Sequence, residues 1–261
     1  MKEFLHTAIR AAKAAGAIHR ANLGLEIGID TKTSHTDLVT RVDVESEARI
    51  REVILDAYPS HAVLGEERGQ PPGAGEYRWI VDPLDGTLNY AHGFPFYCVS
   101  IGLEVAGRVE VGVVLDTARN ELFTAMTGGG AYLNGAPMQV TEETDLKQAM
   151  LATGFAYNAD TVSENVAVFS RMMPKVRAIR RPGAAALDLC YVAAGRLDGF
   201  WELKLNPWDV AAGMLIVREA GGTVTGGGGQ PYRLGEKIVV ASNGRLHAKI
   251  VAALGLDAAL A

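Results

Sequence analysis

Residues 79–87, which read WIVDPLDGT, decide how the rest of this chain is interpreted. The apolar run at residues 79–81 is typical of a short buried strand, and Asp82 follows at the point where the strand emerges. The next residues form a turn that returns Asp85 toward Asp82. Two carboxylates held close repel each other, and a hard divalent cation between them removes the repulsion. Such a cation also binds backbone carbonyl oxygens in tight turns, here that of Leu84.

Gly86 and Thr87 are expected to start a helix directly after these carboxylates. Free backbone N–H groups and the Thr87 hydroxyl would then lie beside the cation, a combination that suits a phosphate ester. The same residues also fit an ordinary Asp-rich β-turn with a capping threonine. Residues 82–87 alone leave both interpretations open.

Two distant carboxylates favour the metal site. Glu66 follows an apolar run at residues 62–64, and Asp209 lies in the first turn of a predicted helix of small residues. Taken alone, Glu66 fits a solvated loop residue and Asp209 fits a partner of a helix dipole. Together with the turn at Asp82 they form an acidic set drawn from three separate parts of the chain, which indicates metal-dependent chemistry.

The composition limits which functions are open to the chain. It has 261 residues, 48% of them hydrophobic, and a net charge of -5, so it can bury a large core and has no basic footprint for nucleic acid. No uninterrupted apolar segment reaches the length of a signal-peptide core or of a membrane span, which predicts a soluble, cytoplasmic protein without membrane contact. Cys98 and Cys190 lie in apolar stretches, and we expect two buried free thiols.

The pattern of apolar residues predicts an α+β fold. Runs of strands are expected at residues 97–103, 109–115 and 121–125, and Asn134-Gly135 predicts a hairpin between residues 131–133 and 138–140. The expected helices cover residues 42–58, 162–173, 184–194, 208–220 and 246–254. Strands covered by pairs of helices favour a layered α-β-α-β-α sandwich. We expect one domain, 1–261, with an N-terminal part at about 1–145 carrying most metal ligands and a C-terminal part at about 146–261.

Three motifs make the chain resemble a known family. GEE at residues 65–67, WIVDPLDGTLNYAHGFPF at 79–96 and NPWDVAAG at 206–213, in this order, resemble the inositol monophosphatase family. That family belongs to the lithium-sensitive, magnesium-dependent phosphatases. The similarity extends from about residue 37 to 243, and ALDLCYVAAGRLDGFWE at 186–202, preceded by Arg180-Arg181, resembles the bacterial branch. The resemblance also implies a homodimer and inhibition by lithium.

The resemblance implies which residues hold metal ions. One Mg²⁺ ion would be held by Glu66, Asp82 and the Leu84 carbonyl, and a second by Asp82, Asp85 and Asp209. A third, weaker ion is implied near Glu66. Two to three Mg²⁺ ions are therefore expected.

The resemblance also assigns residues to water and substrate. Thr87 and Asp43 would orient the attacking water and help to deprotonate it, although Asp43 also fits a helix cap formed with Thr40. The amides of Gly86 and Thr87 would bind the phosphate. The positions implied to contact substrate hydroxyls are Gly183, Ala184, Ala185 and Glu202, and Lys32 would lie in a mobile flap over the site.

Three functions remain open from the sequence. The first is hydrolysis of inositol 1-phosphate or a related polyol or sugar phosphate. The second keeps this chemistry but acts on fructose 1,6-bisphosphate, histidinol phosphate or 3′-phosphoadenosine 5′-phosphate. A carboxylate such as Glu202 favours a leaving group rich in hydroxyls, whereas Ala184 replaces a small hydroxyl residue found in many relatives. The third is a non-catalytic regulatory module that binds another protein, which the complete set of metal ligands disfavours.

Overall fold

The computed structural model describes residues 1–26, 29–31, 38–69, 75–155 and 159–256. Within these residues the α-helices are α1 (Lys2–Asn22), α2 (Arg41–Ala57), α3 (Thr87–Ala91), α4 (Ala159–Met172), α5 (Ala185–Ala193), α6 (Pro207–Glu219) and α7 (His247–Leu254). The strands are β1 (Ile29–Thr31), β2 (Leu38–Thr40), β3 (Ala62–Gly65), β4 (Tyr77–Asp85), β5 (Cys98–Val105), β6 (Arg108–Asp116), β7 (Glu121–Met126), β8 (Gly130–Leu133), β9 (Ala136–Pro137), β10 (Met150–Thr153), β11 (Ala178–Arg180), β12 (Gly199–Leu203), β13 (Thr223–Thr225) and β14 (Ile238–Ser242).

The first large sheet has seven strands in the order β3-β4-β5-β6-β7-β8-β9. β3 runs parallel to β4, and the later pairs are antiparallel. Alternate residues of β5, such as Val99 and Ile101, point to the face covered by α1 and α2. α1 packs there through small side chains, including Ala8 and Ala12, which allows the helix to approach the sheet closely.

The opposite face of this sheet packs on α5 and α6. Ile80, Val114 and Phe123 join the buried residues of both helices in one cluster. α6 crosses the strands so closely that a Cβ added at Gly112 would lie 2.7 Å from the carbonyl oxygen of Ala212. The small residues of the NPWDVAAG motif therefore position the start of α6 over the middle of the sheet.

The second sheet has five strands in the order β11-β10-β12-β14-β13. Phe200 and Val239 pack on the α5/α6 side, whereas Trp201 and Val240 pack with α4 and α7 on the outer side. The layers thus run helix, sheet, helix, sheet, helix, which confirms the predicted α-β-α-β-α sandwich. Among the described residues, no helix combines the length and the apolar character needed to cross a lipid bilayer.

Several predicted elements need correction. β4 does not end at Asp82 but continues to Asp85, so the expected turn is part of the strand. The hairpin at Asn134-Gly135 is present, but its second strand is Ala136–Pro137 and not residues 138–140. Sequence reasoning missed β1, β2, β10, β11 and β13, because strands of three or four residues are too short to show a clear alternation. Cys98 and Cys190 are buried free thiols, as expected.

Candidate active site

Asp82 and Asp85 reach the same side of β4 because this strand contains a bulge. In a regular strand, residues three apart point to opposite faces. Asp82 pairs with Ser100 and Asp85 pairs with Cys98, so β4 has one more residue than β5 over this interval. The extra residue shifts the alternation by one position and returns Asp85 to the side of Asp82.

Burial and neighbouring charge raise the pKa values of these two aspartates. Asp82 is 2% exposed, and burial followed by the charges of Glu66, Asp85 and Asp209 raises its pKa well above the usual value. Burial raises the pKa of Asp85 to about 7, and the charge of Glu66 adds to this. The N–H of Ala186, 2.7 Å from Asp85 Oδ2, acts in the opposite direction.

Asp209 joins this set from the first turn of α6. Its Oδ2 accepts a hydrogen bond from the N–H of Asn206 at 2.7 Å, which closes a capping box. Burial and then the charges of Asp85 and Glu66 raise its pKa well above the usual value. Capping uses one oxygen of the carboxylate, so the other remains available to a ligand.

The electrostatics of these carboxylates fit a bound divalent cation. The ion pairs seen among the described residues do not involve Asp82, Asp85 or Asp209. In the same part of the chain, no three His, Cys, Asp or Glu side chains lie close enough together to form a ready-made metal-binding group. Carboxylate oxygens are the donors that Mg²⁺ prefers, and a cation would offset both the burial and the repulsion.

Asp43 lies fully buried in the first turn of α2 and makes two kinds of contact. Its Oδ2 accepts hydrogen bonds from the N–H of Thr40, at 2.8 Å, and from the Thr40 hydroxyl. Its Oδ1 accepts a hydrogen bond from the Thr87 hydroxyl at 2.8 Å. Burial raises the pKa of Asp43 even though these hydrogen bonds lower it. One carboxylate therefore caps α2 and also faces Thr87, so the two interpretations of Asp43 are compatible.

The segment before α5 lies against the turn that follows β4. Gly86 has a φ of 89°, a left-handed conformation that strains other residues. A Cβ there would lie 2.8 Å from the Phe96 carbonyl oxygen and 3.3 Å from Ala184 Cβ. The N–H of Ala186 meanwhile binds Asp85. The structure thus brings the expected substrate segment at residues 183–185 next to the expected metal ligands.

Glu202, at the end of β12, borders this site from the second sheet. It is 8% exposed, and burial followed by the charge of Asp85 raises its pKa to about 8, while Arg181 acts in the opposite direction. Asp188 of α5 is 1% exposed, and neither of its carboxylate oxygens has a hydrogen-bond partner among the described residues. The charge of Glu202 adds to the burial that raises the pKa of Asp188. The expected flap residue Lys32 lies outside the described residues.

Sequence reasoning missed four polar side chains around the site, namely His19, Glu47, Asn89 and Asp188. Asn89 follows Thr87 by two residues, and its amide nitrogen donates to the carbonyls of Phe96 and Pro182 at 2.8 and 2.9 Å. It therefore joins α3 to the loop before α5. The position of Asn89 inside the motif at residues 79–96 could have indicated its importance. His19, Glu47 and Asp188 appear in the sequence only as polar residues on helix faces that are otherwise apolar.

His19 supports the motif from α1. Its Nε2 lies 3.0 Å from the carbonyl oxygen of Pro83, and its Nδ1 lies 3.2 Å from the Thr117 hydroxyl. Because a carbonyl oxygen can only accept, Nε2 must carry the proton, and Nδ1 accepts from Thr117. Burial lowers the pKa of His19 to about 3, so the ring is neutral at ordinary pH.

The substitution His19→Gln should lower the free energy of unfolding at neutral pH by about 1–3 kcal/mol, because ring contacts and one hydrogen bond are lost. The pKa of His19 is about 3 in the folded protein, below its unfolded value, so its contribution is present above the unfolded pKa of about 6.5. It is lost as the pH falls from there toward 3. Chemical denaturation of both proteins across this range in chelator should show the difference narrowing at low pH. A constant difference would contradict the prediction.

The layered fold is shared with phosphatases that generally depend on bound metal. The profile of the inositol monophosphatase family matches residues 1–256. The chain belongs to this family.

Individual relatives agree with this assignment. The chain is 43% identical over 256 residues to an inositol-1-monophosphatase of Synechocystis, covering 97% of this chain and 89% of that protein. It is 46% identical over 246 residues to the Nus factor SuhB of Vibrio cholerae, covering 93% and 92% of the two chains. The crystal structure of the extragenic suppressor protein SuhB from Bartonella henselae superposes with a TM-score of 0.93 at 38% identity, covering 97% and 98%.

Proposed function

We propose that this phosphatase is magnesium-dependent and hydrolyses inositol 1-phosphate or a related polyol or sugar phosphate. The observation that carries the proposal is the set of mutually repelling carboxylates, Asp82, Asp85 and Asp209, close to a hydrogen-bonded threonine and aspartate. A bound cation would offset the negative charge of the carboxylates and also that of a phosphate ester beside them.

Within the proposal, Thr87 and Asp43 activate the attacking water. The Thr87 hydroxyl donates to Asp43 Oδ1 and keeps its own lone pairs for a proton from water. As the water oxygen bonds to phosphorus, the water proton passes to Thr87 and the Thr87 proton passes to Asp43. The ester bond to the alcohol breaks at the same time, and the departing alkoxide oxygen takes up a proton from a solvent water molecule. The raised pKa of Asp43 makes it a stronger base than an exposed aspartate.

The same residues named from the resemblance would hold the cations. Glu66, Asp82 and the Leu84 carbonyl would bind one Mg²⁺ ion, and Asp82, Asp85 and Asp209 a second. When bound, the ions supply positive charge that lowers the pKa of water and offsets the charge of the phosphate. The chain itself fixes the orientation of Asp85 and Asp209, because each carboxylate accepts a hydrogen bond of 2.7 Å from a backbone N–H group.

The substrate assignment within the proposal depends on Glu202 and the segment before α5. Glu202 is a buried hydrogen-bonding group that borders the site from the second sheet, and the alcohol portion of the ester would lie against it. The amides of Gly86 and Thr87 would receive the phosphate. A leaving group with several hydroxyls can satisfy the Glu202 carboxyl group, which costs free energy when left unpaired.

The test is the rate of phosphate release with magnesium from four esters: inositol 1-phosphate, fructose 1,6-bisphosphate, histidinol phosphate and 3′-phosphoadenosine 5′-phosphate. We expect the highest kcat/KM for inositol 1-phosphate or a similar polyol ester, and loss of activity in chelator. Absence of phosphate release from every ester at millimolar magnesium would reject the proposal. A preference for another ester would keep the chemistry and change the substrate.

Gly154→Ala should lower kcat/KM for polyol phosphates by about 10–100-fold, the value of one hydrogen bond to a charged or strongly polar group. Gly154 follows β10, and a Cβ there would lie 2.1 Å from both carboxylate oxygens of Glu202. Its φ lies outside the left-handed region, and the three atoms nearest to such a Cβ all belong to Glu202, so alanine should act by displacing this side chain. Steady-state kinetics should show little change for phenyl phosphate, whose leaving group offers no hydroxyl to Glu202.

Gly75→Ala is the matched control for this prediction. Among the described residues, a Cβ at Gly75 would meet only the carbonyl oxygen of Ser60, at 3.9 Å, and the φ of Gly75 is also outside the left-handed region. This variant should keep the parent values for both esters. Equal losses for polyol and phenyl esters in Gly154→Ala would show that Glu202 does not select the leaving group.

A second candidate function is regulatory binding of another protein. It is favoured by the relative from Vibrio cholerae, which is named a Nus factor. The two functions are separable, because Asp85→Asn changes the site and leaves the outer surface as it is. A variant without phosphatase activity that replaces the parent protein in cells would support the regulatory role.

A further inference from the structure

A buried carboxylate on α2 contacts the loop that carries Glu66. Glu47 lies one helical turn after Asp43 and is fully buried. Its Oε2 accepts a hydrogen bond from the backbone N–H of Glu67 at 2.7 Å. The residue following Glu66 is therefore attached to α2 by a charge-assisted hydrogen bond, which is among the stronger kinds of polar contact.

Arg51, one further turn along α2, attaches the end of the same loop. Its Nε donates to Glu47 Oε1 at 2.7 Å, and its Nη2 donates to the carbonyl oxygen of Gly69 at 2.8 Å. The side chain of Arg51 is 14% exposed and that of Glu47 is 0% exposed, so water screens this ion pair little. Glu47 and Arg51, here called the α2 clamp, thus bind the loop at two points.

The backbone of residues 65–69 leaves room for the α2 clamp. Gly65 and Gly69 pair through two backbone hydrogen bonds of 3.3 and 3.0 Å, which close the loop at residues 65–69. A Cβ at Gly65 would lie 2.5 Å from the carboxylate carbon of Glu47. Glycine at this position therefore lets the Glu47 carboxylate pass directly beneath the backbone that leads into Glu66.

We propose that Glu47 is a positioning residue that sets the cation affinity of the site by holding the Glu66 loop at a fixed distance from Asp82. The inference rests on the proposed role of Glu66 as a metal ligand. Asp43, Glu47 and Arg51 are spaced four residues apart and follow one face of α2. A single helix therefore orients the water-activating carboxylate at its first turn and the metal-binding loop at the next two.

The substitution Glu47→Gln tests this role with little change in volume. The carboxylate accepts from two donors, one on each oxygen, whereas an amide offers one acceptor and one donor. One of the two contacts must then become a donor facing a donor. We expect Mg²⁺ binding, measured by isothermal titration calorimetry without substrate, to weaken about 10–100-fold, as is typical when a group supporting a metal ligand is changed. At saturating magnesium, kcat should return to near the parent value.

The control is Glu104→Gln, which alters another partly buried ion pair. Arg78 Nη2 and Glu104 Oε2 are 2.6 Å apart near the start of β4. Arg78 precedes Asp82 by four residues, about 13 Å along a strand. This variant should keep the parent Mg²⁺ affinity. Arg51→Lys keeps the charge but not the two separate donors that bind Glu47 and the Gly69 carbonyl. It should weaken the affinity by an intermediate amount, and it serves as the test if Glu47→Gln does not fold.

Two outcomes would overturn the inference. One is a folded Glu47→Gln protein that binds Mg²⁺ with the parent affinity. The other is an equal loss of unfolding free energy with and without magnesium, which describes a purely structural contact. A parent protein that binds no Mg²⁺ would instead reject the proposed function, so the two failures are distinguishable.

Discussion

Asp85→Asn and Asp209→Asn should each reduce kcat/KM by about 10³-fold or more while the protein stays folded. Removing one charged ligand is expected to cost several kcal/mol of transition-state stabilisation, and each 1.36 kcal/mol is about tenfold in rate. Asparagine keeps the side-chain oxygen that accepts from Ala186 or Asn206. Phosphate release and circular dichroism of the purified variants measure the two parts of the prediction.

The same two substitutions, which should lower activity, are expected to raise the stability of the cation-free protein. Without cations the carboxylates repel each other, so either substitution should raise the unfolding midpoint measured in chelator. The pKa of Asp85 is raised to about 7 in the folded protein, so the cation-free parent binds a proton that the unfolded chain lacks between its usual pKa and about 7. The parent should therefore lose stability as the pH rises through this window. Asp85→Asn should show a weaker pH dependence there.

Asp198→Asn is the matched control for both substitutions. Asp198 is 9% exposed and accepts from the Thr141 hydroxyl and the Met150 N–H, at the opposite end of β12 from Glu202. It should keep the parent activity and should not gain stability in chelator. Unfolding of Asp85→Asn without metal would point to a structural role of this carboxylate, and retained activity would show that the reaction does not need it as a cation ligand.

The proposed ligand residues could be recognised in the sequence because short apolar runs followed by acidic residues and glycine are local patterns. Residues 79–87 span the end of β4 and the start of α3, and Asp209 lies in the first turn of α6, so these positions are recognisable from neighbouring residues. The reason that Asp82 and Asp85 share one side is not local. It depends on a bulge against β5, which is fixed by pairing with residues 98–100. A turn was predicted there because the pairing partner cannot be recognised from the motif.

The supporting residues were missed for the same reason. Glu47 and His19 look like ordinary polar residues in amphipathic helices, and only tertiary packing shows that they are buried against the Glu66 loop and against Pro83. The proximity of Ala184 to Gly86 likewise joins residues almost a hundred positions apart. The sequence therefore predicts which atoms can do the chemistry, whereas the contacts that hold them require the fold.

Thr87→Val should lower kcat by about 10²–10⁴-fold, the usual value of a positioned proton-transfer group. Valine has nearly the shape of threonine, so the change removes the hydroxyl that donates to Asp43 Oδ1 and leaves the volume almost unchanged. Loss of this donor should also raise the pKa of Asp43 further, because the Thr87 hydrogen bond lowers it. The acidic limb of the pH–rate profile should therefore move to higher pH.

A measurement of Mg²⁺ affinity separates a role of Thr87 in proton transfer from a role in metal binding. Thr87 is not among the proposed ligands, so Thr87→Val should keep the parent Mg²⁺ affinity in calorimetry, in contrast to Asp85→Asn. Thr87→Ser restores a hydroxyl at the same position and should recover most of kcat. If Thr87→Val loses unfolding free energy but keeps kcat, the hydroxyl acts only in folding through its contacts with Asp43 and the Leu84 carbonyl, which lies 2.9 Å away. A kcat loss reversed by serine, at constant metal affinity, is the expected result for a group that handles the water proton.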